Sequence, residues 1–232
     1  MAKRKVTQSA ADVQVDVQEV QAPAQPFWVK NQNLILYAVG GLALIVLGWW
    51  GYKVMIVEPQ QKEAVSAMWQ AQVQFDRDSF QLALENPGGG FDGFLGIIDK
   101  YGGTAAGNSA KYYAGICYLH LGDFDKAIQY MDDFDPVGEL LPIMKYGILG
   151  DCYSEKKEYD KALSYYEKAS EAGKTDLLVA YYLKKLGMLY DYQGNKDAAK
   201  KAYERLRRDF PNPASADWRD VEKYIYRAGG PQ

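Results

Sequence analysis

The sequence predicts an all-α protein: a single N-terminal transmembrane helix followed by a solenoid of helix-turn-helix repeats. Three observations predict it. Ala127, Ala162 and Ala199 stand 35 and 37 residues apart, close to the 34-residue period of one class of paired-helix repeat. Asn31 to Tyr52 is a run of 22 residues without a formal charge, bounded by Lys30 and Lys53. Between and around these landmarks, apolar residues recur at three- and four-residue intervals, the spacing of one helix face.

Residues 1–30 read as a disordered tail. They combine Lys3-Arg4-Lys5 with a Gln-, Val- and Ala-rich run and two prolines, and no aromatic precedes Phe27, so little apolar surface can be buried. Val13, Val15 and Val17 alternate with polar residues, a pattern that can also add to a partner's sheet edge.

Residues 31–57 read as the membrane helix. Twenty-two residues at about 1.5 Å each cover roughly 33 Å, which matches a hydrocarbon core of about 30 Å. Trp28 and Tyr37 lie toward one end, and Trp49, Trp50 and Tyr52 at the other, where amphipathic rings prefer the interface. A buried core helix is rarely apolar on every face over this length. A cleaved signal peptide wants a shorter apolar stretch and small residues at a cleavage site, and Trp49-Trp50-Gly51-Tyr52-Lys53 offers none. Lys3, Arg4, Lys5 and Lys30 precede the span while Lys53 and Lys62 follow it. That bias places the tail in the cytoplasm and the repeats across the membrane.

Residues 58–104 read as a linker helix and a degenerate first repeat. Pro59 suits a first helical turn, and Val65, Met68, Trp69, Gln72, Phe75 and Phe80 form an approximate inward stripe. Pro87-Gly88-Gly89-Gly90 breaks it. A second helix follows over Phe91–Tyr101 with Phe94, Ile97 and Ile98 inward. This first unit is expected to lack the glycine and alanine packing sites of the others.

Three better repeats occupy residues 105–212, roughly 105–140, 141–176 and 177–212. Gly115 with Ala127, Gly150 with Ala162, and Gly187 with Ala199 are placed to let paired helices approach closely. Tyr118, Tyr153, Tyr190, Met131, Tyr166 and Tyr203 are expected to fill the space between pairs. Pro211 and Pro213 end the last repeat, and residues 213–232 supply a capping helix with Trp218, Val221, Tyr224 and Ile225. Such a cap shields the last apolar face of an array. Cys117 and Cys152 occupy the same place in consecutive repeats, about 8–10 Å apart by interhelical spacing. That is too far for a disulfide, so two free, buried thiols are expected.

The formal net charge of −3 supplies no global basic field for nucleic acid. Its distribution is uneven: residues 58–183 hold 11 Lys/Arg against 20 Asp/Glu, a balance of −9. Asp123, Asp125, Asp132, Asp133, Asp135 and Glu139 form an acidic crest. Asp132, Asp133 and Asp135 are its candidate docking patch for a basic partner, beside the plainer reading of a solvated face. Lys200, Lys201, Arg205, Arg207 and Arg208 form a basic run, read as a surface face or a contact with lipid or a partner. No catalytic constellation is present: His120 is the only histidine, no cluster gives it metal-ligand company, and the glycine run lacks the strand and Lys-Ser/Thr of a phosphate loop. The chain reads as a non-enzyme without a cofactor.

Leu149, Gly150, Tyr153, Tyr159, Ala162, Tyr166 and Ala169 together resemble the tetratricopeptide repeat. In that family the first helix of each pair lines a concave groove. The resemblance implies a peptide-binding groove of Tyr112, Tyr113, Ile116, Met144, Ile148, Tyr181, Lys185, Met188 and Tyr192, apolar and adaptable, beside the alternative that some of them pack against the preceding degenerate repeat. The carboxylate-clamp receptors among these proteins need Lys and Asn at set positions. Tyr112, Ile116, Ile148 and Tyr181 depart from that set and only Lys185 fits it.

The wider layout resembles the YfgM family, ancillary inner-membrane subunits of the bacterial Sec translocon. The layout is a basic tail, a span ending Gly48-Trp49-Trp50-Gly51-Tyr52, a helix around Ala64–Phe75, a Phe94…Thr104…Ala110 stretch and then repeats. The tail is longer and richer in Gln and Val than that family's. The resemblance implies a bacterial inner-membrane protein with a cytoplasmic N-terminus and periplasmic repeats. Its implied partners are SecYEG, a membrane-anchored periplasmic chaperone and translocating polypeptides. Two other readings stay open: an envelope assembly adaptor that joins folded partners, and a cytosol-facing import receptor.

Overall fold

The computed structural model describes residues 31–210 and 220–229. The N-terminal tail, the Pro211 and Pro213 stop and the Trp218 portion of the cap lie outside them. The described residues are helical and contain no strand. The chain divides into two compact units, residues 1–51 and 52–232. The first contains all but the last residue of α1, Gln32–Tyr52, in which no residue is buried. It is long and apolar enough to cross a membrane.

The second unit opens with a π-helical segment, Lys53–Val57, and α2, Glu58–Phe75, with Pro59 in its first turn. Two short helices follow, α3 (Phe80–Glu85) and α4 (Phe94–Tyr101). Three longer pairs come next: α5 (Ala105–His120) with α6 (Phe124–Asp133), α7 (Leu140–Glu155) with α8 (Tyr159–Glu171), and α9 (Asp176–Tyr192) with α10 (Lys196–Asp209). The cap, α11, is Val221–Arg227.

One turn is used in all three pairs. After α5 the Asp123 amide donates to Tyr118 O at 2.9 Å and the Gly122 amide to Leu119 O at 3.1 Å. These are the two bonds of a Schellman stop, whose left-handed residue favours glycine. Glu158 and Lys157 repeat it on Tyr153 and Ser154, and Asn195 and Gly194 on Tyr190 and Asp191. Gly122 and Gly194 have φ of +79°, whereas Lys157 takes φ +61° with a side chain. The next residue caps the following helix: Asp123 Oδ1 accepts from the Lys126 amide and Asn195 Oδ1 from the Ala198 amide, both at 3.2 Å. Glu158 makes no such bond, so the middle turn has the weaker chemistry at both positions.

Packing within each pair follows from one missing side chain. A Cβ on Gly150 would lie 2.5 Å from the Tyr166 ring, and on Gly187 2.5 Å from the Tyr203 ring. On Gly115 it would meet Met131 Cε at 2.4 Å. The fully or nearly buried Met131, Tyr166 and Tyr203 therefore sit against the motif glycine of their own pairs, and Tyr166 also reaches across to stack on Tyr182 of the next pair. Tyr118 and Tyr153 stay within their pairs. They stack on Tyr130 and Tyr165 at 5.5 and 5.3 Å, under Lys126 and Lys161. Cys117 and Cys152 are free and fully buried, and burial pushes each thiol up to about 12.

The first repeat corrects two expectations. Asp78 takes φ +56°, and Ser79 and Asp78 donate to Gln74 O and Phe75 O, the same stop again. Ala71 stands seven residues before Asp78, as Gly115 does before Gly122, and Ala83 five after, as Ala127 does. Both alanines are fully buried, so the packing sites are present. They were obscured because Asn86–Gly93 interrupts the second helix and puts later residues out of step. That loop needs glycine: Gly88, Gly89 and Gly90 have φ of +96°, +66° and +78°. Of the expected inward stripe, Met68 is buried and Phe75 and Phe80 pack on the core, but Val65 and Trp69 do not face inward. Ala64, Met68 and Ala71 are buried, while Val65 and Trp69 are 54% and 65% exposed, because small residues let α2 approach its neighbours.

The apolar core is segmented along the array. One cluster joins α2–α5, a second joins α5–α8, and a third joins α7–α10 to the cap. Val221 and Ile225 of the cap are buried, and Tyr224 stacks on Tyr203 at 5.3 Å. Arg227 of the cap and Lys196 of α10 both pair with the nearly buried Asp191.

Two measurements test this account. Lys157→Gly relieves a left-handed side chain worth about 1 kcal/mol, so the thermal midpoint of the full chain in detergent rises by about 2–4 °C. Gly122→Ala and Gly194→Ala lower it. The hydrogen bond to Lys196, with Arg227 beside it, holds the Asp191 carboxyl below its ordinary 3.8. Its stabilisation is present above that value and lost as pH falls through the folded-state value. Asp191→Asn therefore lowers the midpoint at neutral pH, and the difference from the parent chain closes as pH falls below the carboxyl's ordinary 3.8.

Candidate functional site

The first helices of the three pairs bring their C-terminal ends around a cleft of about 670 Å³. Leu119 and His120 of α5, Gly122 of its turn and Phe124 of α6 form one side. Asp151, Ser154 and Glu155 of α7, with Tyr166 of α8, continue it. Lys185, Met188, Leu189 and Tyr192 of α9 complete it. The His120 ring also lies flat on Phe80 of the first repeat, with centroids 4.3 Å apart.

The charged floor of the cleft is a three-residue network. Lys185 Nζ and Tyr166 Oη each donate to Asp151 Oδ1 at 2.7 Å. The Lys185 and Asp151 side chains retain 29% and 22% of their exposure. The ammonium also lies 5.0 Å from the Tyr181 ring centroid, within cation–π range. Burial pulls the Lys185 ammonium down, but the charge and hydrogen bond of Asp151, with Tyr181, outweigh it and hold the group above its ordinary value. Burial, then the Asp151 charge, pushes the Tyr166 phenol up, so it stays a donor at neutral pH.

These charges replace an apolar pair. Ile116 follows Gly115 as Asp151 follows Gly150, and Ile148 precedes Gly150 by two residues as Lys185 precedes Gly187. At the earlier junction Ile116 and Ile148 belong to one packed apolar cluster. At the later one the same two places carry an ion pair open to the cleft.

Of the nine groove residues expected from the sequence, Lys185, Met188 and Tyr192 line the cleft. The other six do not. Tyr113 stacks on Phe94 at 5.1 Å and meets Phe75 edge-on, which commits it to the first repeat. Tyr112 packs on Phe134 at 5.4 Å, and burial pushes its phenol up to about 12. Ile148 is buried and Ile116 packs with it. Met144 is half-buried on α7, and Tyr181 stands beside Lys185 outside the cleft. The first repeat supplies a packing surface that consumes positions a peptide contacts in an open array. Leu119, His120, Phe124, Asp151, Glu155 and Leu189 were not expected. The signal available for Asp151 was a carboxylate where the preceding repeat has isoleucine.

Asp132, Asp133 and Asp135 are exposed. Their backbone is clamped: Lys145 Nζ donates to Asp132 O and Phe134 O, Lys111 Nζ to Asp133 O, and Asn108 bonds Asp135 in both directions. Elsewhere in the crest Asp123 caps α6 and Asp125 pairs with Lys156. In the basic run Arg205 donates to Ser170, Arg207 meets Glu222 and Arg208 meets Asp209, which gives those three structural roles. Among the described residues no three His, Cys, Asp or Glu side chains converge on a metal-sized site.

Asp151→Asn removes the counter-charge of a partly buried lysine and costs about 1–3 kcal/mol, less the part solvent screens. The double change Asp151→Ile with Lys185→Ile rebuilds the junction found one repeat earlier. Urea unfolding of the full chain is expected to place the double variant above the single one.

Residues 142–211 match a sequence model of the tetratricopeptide repeat, and residues 109–134 match a second one. No curated protein matches the chain. The matched segments cover nearly all of α7–α10 and most of α5–α6, the helices in which a glycine packs against a large side chain of the paired helix. The three helix pairs that build the cleft thus carry tetratricopeptide repeats, a protein-binding scaffold.

Proposed function

We propose that this chain is a single-span membrane scaffold of the bacterial inner membrane, with its N-terminus in the cytoplasm and its repeats in the periplasm. It serves as an ancillary subunit of the Sec translocon, binding SecYEG and a membrane-anchored periplasmic chaperone and meeting emerging polypeptides in its cleft. One observation carries the reading: an open cleft with apolar and polar walls across three protein-binding repeats, on a chain whose α1 buries none of its residues. Exposed Met188 and Tyr192 suit adaptable contact with varied segments. The resemblance to the YfgM layout and the basic excess before the span support the location.

The clamped acidic run favours a second reading, an envelope assembly adaptor. Asp132, Asp133 and Asp135 are exposed on a backbone held by Lys111, Lys145 and Asn108, a rigid acidic surface for a folded basic partner.

Protease treatment of intact spheroplasts, followed by mild-detergent isolation from the same membranes, tests both. Digestion of the repeats from outside and recovery of translocon subunits is the expected result. Protection of the repeats, or isolation without translocon subunits, overturns the translocon reading. Loss of partners after charge reversal at Asp132, Asp133 and Asp135, with retention after Met188→Ala, selects the adaptor.

A further inference from the structure

We infer that the cleft takes a cationic amphipathic polypeptide segment, with apolar side chains against Leu119, Phe124, Met188 and Leu189 and a Lys or Arg beside Glu155. The inference rests on the binding function of the cleft and adds the chemistry of its occupant.

Charge balance selects the occupant. Among the formally charged residues of the cleft, Lys185 is matched by Asp151 at 2.7 Å. Glu155 is exposed and makes no ion pair among the described residues. One carboxylate is therefore left over, next to apolar side chains. The backbone adds to it. His120 and Glu155 are the last residues of α5 and α7, and Tyr192 is the last of α9, so three helix C-termini meet at the cleft. Each presents the negative end of its dipole, which favours a cation. Residues 58–232 together hold 27 acidic against 22 basic residues, a net negative balance that favours positive segments over acidic ones.

The test uses the full chain in an uncharged detergent and three fluorescent peptides of equal length. They share the same apolar positions and carry Lys, Gln or Glu at the polar ones. Anisotropy titration is expected to show the Lys peptide binding about tenfold more tightly than the Glu peptide, with the difference shrinking as salt rises. Glu155→Gln narrows that preference about threefold, the range of one exposed ion pair. Glu167→Gln, an exposed carboxylate outside the cleft, leaves the preference in place. Met188→Ala weakens all three peptides. Equal binding of the Lys and Glu peptides, or an unchanged preference in Glu155→Gln, overturns the inference while the cleft remains a binding site. Absence of binding by every peptide overturns the cleft reading itself.

Discussion

Each pair depends on a contact between a position without a side chain on its first helix and a large side chain on its second. Gly150 against Tyr166 and Gly187 against Tyr203 leave no room for even a methyl group. The ring replaces the missing side chain and sets how closely the two helices lie. A ring in place of Met131, as in the later pairs, changes what fills the space but not the space. Once the helices are held, the alanine opposite (Ala127, Ala162 or Ala199) is buried completely. The second helix then ends where the next pair must begin, and the polarity of each junction decides whether it packs closed or stays open.

Most of the fold was legible because the repeat writes it in residues that have few alternatives. A left-handed turn favours glycine, and two of the three turns have one. Lys157 shows the limit of that inference, because its backbone takes the same conformation without the residue that announces it. Asp78 shows the limit again in the first repeat. There Ala71 and Ala83 do the packing, but the Asn86–Gly93 excursion makes the next turn fall 44 residues on instead of 35 or 37. A period is visible only while its spacing holds. The contacts across the interruption, such as Phe94 on Tyr113, are tertiary and leave no mark in a local pattern.

The site was legible only in part, and for a related reason. Helical spacing identifies the face on which a residue stands, and Lys185, Met188 and Tyr192 do stand on the face that opens to the cleft. Spacing does not report depth. Tyr112, Tyr113, Ile116 and Ile148 share the equivalent face in the two preceding repeats and are covered there by Phe134, Phe94 and one another. Asp151 and Glu155 come from a different helix than Lys185 and Met188. Their meeting depends on the distance between first helices, which no single helix encodes.

That distance varies along the junction between the second and third pairs, and the variation explains why a cleft exists there. Toward the N-terminal part of the two helices, a Cβ on Gly147 would fall 1.8 Å from the Tyr182 ring, so α7 and α9 are held tightly together. One turn farther on, Asp151 and Lys185 bridge the helices through long polar side chains that keep part of their exposure. Covering them with apolar atoms requires desolvating both charges, which opposes closure. Beyond them Ser154, Glu155, Met188 and Tyr192 face open space. The junction is therefore a wedge, closed by a glycine at one end and held open by an ion pair at the other. At the preceding junction isoleucines occupy the two places of the ion pair and are packed. The later junction leaves open the volume that apolar packing fills at the earlier one, beside charges that already satisfy each other.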